Sequence, residues 1–248
     1  MFLLGRPAPG THLHRVDHLL RWPLGIARVL AYRIPGYGPP LTRTEAAGDA
    51  GDLPAPVPPE VRAADVQYVA DGTGALLHRR YSVVVDGADR GPEVLMAELS
   101  RDPNCAVPDA AVFQRSVGAD GPMRLRDEWL IRMPAPWDGP VRVIAVTPSS
   151  FRFATLEGHL EAGQIEFRAA VRPDGALSFE IESWARPGDL AAHLLYNRLP
   201  LAKEIQLMVW ARTCTAVAEL VGGTPRDGVT AATRVVDGAA LDALPPGV

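Results

Sequence analysis

The chain has 248 residues, a formal net charge of −4, and 47% hydrophobic against 22% charged residues. That is enough apolar material for a sizeable core, without the basic excess that would attract nucleic acid. No run of about 18 uncharged apolar residues exists, so no transmembrane helix is expected, and a cytoplasmic protein follows from an N-terminus in which Gly5-Arg6-Pro7 interrupts the apolar Met1–Leu4 with no cleavage signal behind it.

Thr11–Arg33 has helical spacing. Leu13, Val16, Leu19, Leu20, Leu24, Val29 and Leu30 form one apolar side, arginines are interspersed, and Pro23 kinks or splits the run. It reads as an extension docked on the main domain or as a basic amphipathic helix lying on a membrane. Ile34–Glu60 is a connector rich in proline. Three regions follow: 1–60 as helix and connector, 61–224 as the compact domain, and 225–248 as a C-terminal tail.

Within the domain, Leu76–Val85 reads as a strand and Gly91–Ser100 as a helix with Pro92 at its tolerant first turn. Val112–Val117 is a short strand. Met123–Met133 alternates as a long one, with Leu125, Asp127, Trp129, Ile131 and Met133 on one side. Val141–Thr147, Phe151–Leu156, Gln164–Arg172 and Leu177–Trp184 continue the series, with Pro173-Asp174-Gly175 as a turn. Pro200–Val221 is a long helix stopped by Gly222-Gly223, and Lys203, Leu207, Trp210, Cys214, Val217 and Val221 share one of its faces. The order is strand, helix, six strands, long helix.

A one-faced sheet needs a cover, and the long helix is the candidate. An α+β helix grip follows, a curved antiparallel sheet around a C-terminal helix, with a cavity between them for a small apolar or aromatic molecule. Trp129, Ile131, Phe153, Ile165 and Phe167 on the strands and Gln206 and Trp210 on the helix are the expected lining.

This order over Leu76–Gly222 resembles the START-like (SRPBCC) superfamily. The run Thr155-Leu156-Glu157-Gly158-His159-Leu160-Glu161-Ala162-Gly163, then Phe167, Ser183, Ala185-Arg186-Pro187, Ala202-Lys203-Glu204-Ile205-Gln206 and Trp210, is similar to an uncharacterised bacterial subgroup of it. The superfamily includes lipid carriers, hormone receptors, polyketide cyclases and ring-hydroxylating members. The resemblance implies a ligand cavity and leaves the reaction open.

Four residues are candidates for proton transfer. Asp127 is the odd carboxylate on an apolar strand face, where burial would raise its pKa, unless the strand turns it out to an arginine. Glu157 and His159, beside Gly158 and Glu161, form either a proton shuttle or a structural loop. Lys203 stands where a cavity mouth is expected, as a ligand-pairing cation or as a snorkelling side chain. Glu166, Arg168, Glu180 and Glu182 read as ion pairs on the solvent side.

Cys105 and Cys214 make no disulfide framework and no zinc site. No phosphate loop, dinucleotide fingerprint or nucleophile elbow is present. No metal and no cofactor are therefore expected. The first expectation is a cofactor-free small-molecule binding protein. The alternatives are a cyclase, dehydratase or isomerase of bacterial secondary metabolism on the same scaffold, and a membrane- or protein-docking module acting through Thr11–Arg33.

Overall fold

The described residues form nine strands of one sheet: β1 (Leu41–Ala47), β2 (Leu76–Asp86), β3 (Val112–Val117), β4 (Glu128–Arg132), β5 (Asp138–Thr147), β6 (Ser150–Thr155), β7 (Glu161–Val171), β8 (Leu177–Pro187) and β9 (Thr224–Val236). Among the described residues two α-helices accompany them, α1 (Pro92–Arg101) and α2 (Pro200–Leu220). The computed structural model describes residues 27, 40–108, 111–133, 138–188, 200–241 and 247–248, with the side chains of 200–203 and 239–240 excepted. The expected helix Thr11–Arg33 lies, but for Ala27, outside the described residues.

The strands lie in the order β1-β9-β2-β8-β7-β6-β5-β4-β3. Every neighbouring pair is antiparallel except β1 with β9, which is parallel. From Leu76 to Gly222 the element order is the one the periodicity predicts. Two strands stand outside that expectation. β1 falls in the proline-rich connector, and β9 in the residues expected as a tail. β9 inserts between β1 and β2, so residues from both ends of the described chain build one edge of the sheet.

The long strand expected over Met123–Met133 is shortened to β4. Arg126 has a φ of 73°, outside the extended region, and Met123–Asp127 is a turn. Its hydrogen bonds run from the Arg124 amide to the Asp127 carboxylate, 3.0 Å, and from the Asp127 amide to the Arg124 carbonyl, 3.1 Å.

The inner face of the sheet packs on α2, which lies across β9, β2 and β8, and on α1, which lies against β7 and β6. Tyr81 pairs with Ile181 and Val83 with Phe179 across β2 and β8, and Phe151 pairs with Phe167 across β6 and β7. Phe151 and Phe167 stack at 5.0 Å, and Trp210 of α2 meets Phe167 edge-on at 5.6 Å. On α2, Trp210, Cys214 and Val217 are buried and Leu207 packs at the margin, with Ile205, Met208, Val209, Ala211 and Ala218 buried as well.

The outer face is covered by chain that precedes β2. Val57, Val61 and Val66 pack on Ile144, Ala154 and Leu156. Glu182, expected on a solvent side, is instead 3% exposed. His78 of β2 stands between two carboxylates, with Nδ1 2.8 Å from Asp52 and Nε2 2.7 Å from Glu182, and its ring stacks on Trp184 at 5.2 Å. Arg80 and Arg168 also pair with Glu182, at 2.8 and 2.5 Å. Burial alone would raise the Glu182 carboxyl, but the bonds from His78 and Arg80 and the charges of Arg168 and Arg80 hold it down to about 2. Burial likewise opposes charge on His78, yet Glu182 and Asp52 override it and raise its pKa. The imidazolium thus ties the turn at Asp49–Asp52 to the sheet.

Two stability predictions follow from this packing. Trp210→Ala costs about 3–5 kcal/mol in a denaturant melt; a change under about 1 kcal/mol would remove the indole from the core. The His78 contribution is complete below its ordinary value of 6.5 and is lost as the pH rises through its raised folded value. The Glu182 contribution is complete above its ordinary 4.5 and is lost as the pH falls toward about 2. The stability gap between the wild type and His78→Gln therefore narrows as the pH rises from about 6 to 9, read as melting temperature against pH. A gap that stays constant over that range contradicts the charged imidazole.

Candidate functional site

Beside the first turns of α2 the sheet encloses a cavity of about 80 Å³. A water molecule needs about 10–15 Å³, so the space holds several waters or the body of a small ring. Its walls are apolar: Ile131 of β4, Val141 of β5, Ile165 of β7, Ala185 of β8, and Ile205 and Trp210 of α2. Six polar residues join them, Thr155, His159, Glu161, Gln164, Ser183 and Gln206. Polar groups set among apolar walls are the usual make-up of a small-molecule site.

His159 is placed by the hairpin between β6 and β7. Gly158, at φ 94°, takes the turn. The His159 amide donates to the Leu156 carbonyl at 3.0 Å, and Leu156 bridges to Val66 of the outer strap. The Glu161 amide then donates to Nδ1 of His159 at 2.9 Å. That bond occupies the Nδ1 lone pair, so a neutral ring carries its proton on Nε2. Burial holds the imidazole pKa below its ordinary value, against the pull of the Glu161 carboxylate. Nε2 lies against the inner side of Gly139 in β5, where a Cβ would approach it to 2.8 Å.

Glu161 is buried, 8% exposed, and accepts a hydrogen bond from Nε2 of Gln206 at 3.1 Å. The Gln206 carbonyl oxygen in turn accepts from Arg79 of β2. Arg79 stands behind Gln206 and lines a separate groove with Arg43, Glu204 and Tyr81. The Nε1–H of Trp210 is buried and has no acceptor among the described residues.

Of the expected lining, Ile131, Ile165, Gln206 and Trp210 are at the cavity. Phe153 and Phe167 sit in the aromatic cluster of the core, and Trp129 packs under the Arg115 guanidinium at 4.5 Å. Among the four proton-transfer candidates, His159 reaches the cavity. Asp127 is buried away from the cavity lining, in an ion pair with Arg115 at 2.7 Å. Glu157 is exposed on the outside of the hairpin, its amide bonded to the Asp65 carbonyl at 2.7 Å. Lys203 belongs to the first turn of α2, and its side chain lies outside the described residues.

Sequence reasoning passed over Thr155, Gln164, Ser183 and Arg79 as site groups, and took Glu161 only as a flank of His159. Ser183 had a signal, being the one hydroxyl in the inward set Phe179, Ile181, Ser183, Ala185. Arg79 had none, because Arg79-Arg80 reads as a solvated pair. Among the described residues no group of three or more His, Cys, Asp or Glu converges to hold a metal, and no helix is long and apolar enough to cross a membrane.

Residues 108–216, less than half of the chain, match a family model described as a domain of unknown function (DUF1990). The matched stretch contains His159, Glu161, Ser183, Gln206 and Trp210. No curated protein matches the chain. Among solved structures, the chain is similar to a Thermobifida fusca protein at 15% identity and a TM-score of 0.42, over 59% of this chain and 93% of that one. A hypothetical protein of Helicobacter pylori aligns at 9% identity and a TM-score of 0.42, over 71% and 98%. Major latex-like protein 151 of Panax ginseng aligns at 14% and 0.35, over 56% and 98%. At TM-scores below 0.5 these likenesses carry no functional inference.

The contact between residue 139 and the imidazole is directly testable. Gly139→Ala must push the His159 ring aside and disturb the bond to the Glu161 amide. The expected result is a folded protein whose His159 ring resonances in a long-range ¹H–¹⁵N spectrum move away from those of the wild type. An unchanged His159 signature would show that the ring does not lie against Gly139.

Proposed function

We propose that the protein is a helix-grip binding protein that takes a small, largely apolar molecule into the cavity between the sheet and α2. The observation that carries this is the cavity itself, with apolar walls and six polar residues set among them. Native mass spectrometry of the purified protein is the first test, since a bound molecule survives as an added mass. Ser183→Leu is the control. Ser183 faces Ile165 across β7 and β8, and a leucine there grows into open space and not into packed atoms. The expected outcome is an intact fold with loss of the bound mass and a roughly tenfold or greater loss of affinity for an apolar fluorescent probe. Equal binding by the variant and the wild type would place the site elsewhere.

A second reading, cofactor-free proton transfer by a cyclase, dehydratase or isomerase, is favoured by one observation: His159 and the Glu161 carboxylate line the same cavity. Within it, His159 and Glu161 are the acid–base groups, Asp127 is engaged with Arg115, and Glu157 is exposed away from the cavity lining. The reading requires that Glu161→Gln, which keeps an acceptor for Gln206, stop conversion of a bound molecule while leaving its binding intact. Conversion that survives Glu161→Gln removes the catalytic reading.

A further inference from the structure

Resting on the binding reading above, we infer that Gln67 of the outer strap is a positioning residue for the cavity: the β6–β7 hairpin is built around it, and it thereby sets the His159 ring. The backbone carries the first observation. The β6–β7 ladder stops at the pair Ala154–Gln164. The next two residues, Thr155 and Gly163, each bond to Gln67. Its amide donates to the Thr155 carbonyl at 2.9 Å, and its carbonyl accepts from the Gly163 amide at 3.1 Å and from the Thr155 hydroxyl at 3.2 Å. The Thr155 hydroxyl also takes the Gly163 amide, at 2.9 Å. Gln67 thus stands where the next rung of the ladder would be, and the loop from Thr155 to Gly163 opens to admit it.

The side chain carries the second. With its amide nitrogen turned into the loop, Gln67 donates to the carbonyls of Leu156 and His159, at 2.5 and 3.2 Å. A side-chain amide has two N–H donors to give, one for each carbonyl. The turn at Gly158 therefore has the carbonyls on both its sides held by one residue. From that anchored backbone His159 presents its ring to the cavity, with Nδ1 taking the Glu161 amide at 2.9 Å. The seat is tight, since a Cβ at residue 139 would approach Nε2 to 2.8 Å. A turn that loses its donors rearranges to satisfy two carbonyls, and a ring seated so closely moves with it.

Docking of the strap does not depend on this amide. Val57, Val61 and Val66 pack on Ile144, Ala154 and Leu156, Asp65 pairs with Arg142 at 2.6 Å, and Asp52 with His78 at 2.8 Å. Loss of the Gln67 donors leaves those contacts in place and acts on the loop. Thr155, His159, Leu160 and Gln164, in or beside that loop, all line the cavity, so its movement reshapes the cavity wall. By linkage, a molecule that fits the wall favours the bonded Gln67 in return.

Gln67→Met, in the full chain, keeps the length and the backbone bonds and removes both donors. Its His159 ring resonances are expected to shift in a long-range ¹H–¹⁵N spectrum, and an apolar fluorescent probe to bind roughly fivefold or more weakly. Gln67→Glu, which sets carboxylate oxygens against the two carbonyls, should do the same. His78→Gln is the reference, because it loosens the strap at Asp52. It should lower the melting temperature and leave the ring resonances and the probe affinity as in the wild type. In the wild type itself, saturating probe should shift the Gln67 side-chain amide resonances, which keeps the test decisive if the Gln67 variants fail to fold; constant resonances count against the inference. Unchanged ring resonances in both Gln67 variants overturn it. So does a His78→Gln protein that moves ring and affinity as far as Gln67→Met, since docking of the whole strap would then be the cause. Ring movement with unchanged probe affinity leaves the binding reading standing and removes Gln67 from the cavity. Ring movement in a protein whose wild type binds no probe supports the hold of Gln67 on His159 and sinks the binding reading alone.

Discussion

Helix α2 is apolar on almost every side, and a helix of that kind is stable only when enclosed. Ile205, Met208, Val209, Trp210, Ala211, Cys214, Val217 and Ala218 are all buried, and they span more than one face. One sheet layer beneath the helix would leave half of them wet. The nine strands answer this by carrying inward-facing aromatic and branched residues from β9 round to β3. The cavity is a product of the same constraint. The aromatic cluster of Phe113, Phe151, Phe153 and Phe167 fills one part of the enclosed space. Toward the start of α2 the inward residues become smaller, Ser183, Ala185 and Gly139, and the filling stops.

A sheet that grips a helix on one face still has to protect the other. Here the chain before β2 does so in two ways. Valines at 57, 61 and 66 cover the apolar part, and a charged knot of Asp52, His78, Glu182, Arg80 and Arg168 covers the rest. Such a knot adds little by existing and costs much when one member is removed. It also reaches the site. Gln67, on the same strap, with its amide nitrogen turned to the hairpin, donates to the Leu156 and His159 carbonyls at 2.5 and 3.2 Å. The outer cover therefore fixes the loop that aims His159 inward.

Most of the framework was legible because its signals are local. Strand β2 is rich in Val, β6, β7 and β8 alternate over part of their length, and α2 ends at Gly222, which has a φ of 70°. β1 and β9 were not legible. Leu41–Ala47 carries Thr, Arg and Glu with no alternation, and it is almost wholly exposed. β9 opens with Pro225, Asp227 and Gly228, which read as a turn, and its ladder is made by partners far away in sequence. At the site, a period of two from Thr155 points Glu157 inward. The turn at Gly158 breaks that period, leaves Glu157 outside and brings His159 in. Inward facing alone also does not separate lining from core. Phe153 and Ile165 sit directly opposite one another, yet Ile165 borders the cavity and Phe153 does not, because that depends on where α2 diverges from the sheet.

The parallel pairing of β1 with β9 bears on the order of assembly. Leu41 lies opposite Val229 and Ala47 opposite Val235, so nearly the whole described chain must close as a loop before this ladder forms. Loop closure of that length is unrewarded until β9 has docked on β2. β1 is thus the last strand to join and the first to leave. Its departure would break the bidentate Arg43–Glu204 pair and bare the edge of β9, a row of unpaired backbone groups beside the polar groove. Such an edge is a template for another strand, so the species exposed to misassociation is a nearly native molecule with one strand undone.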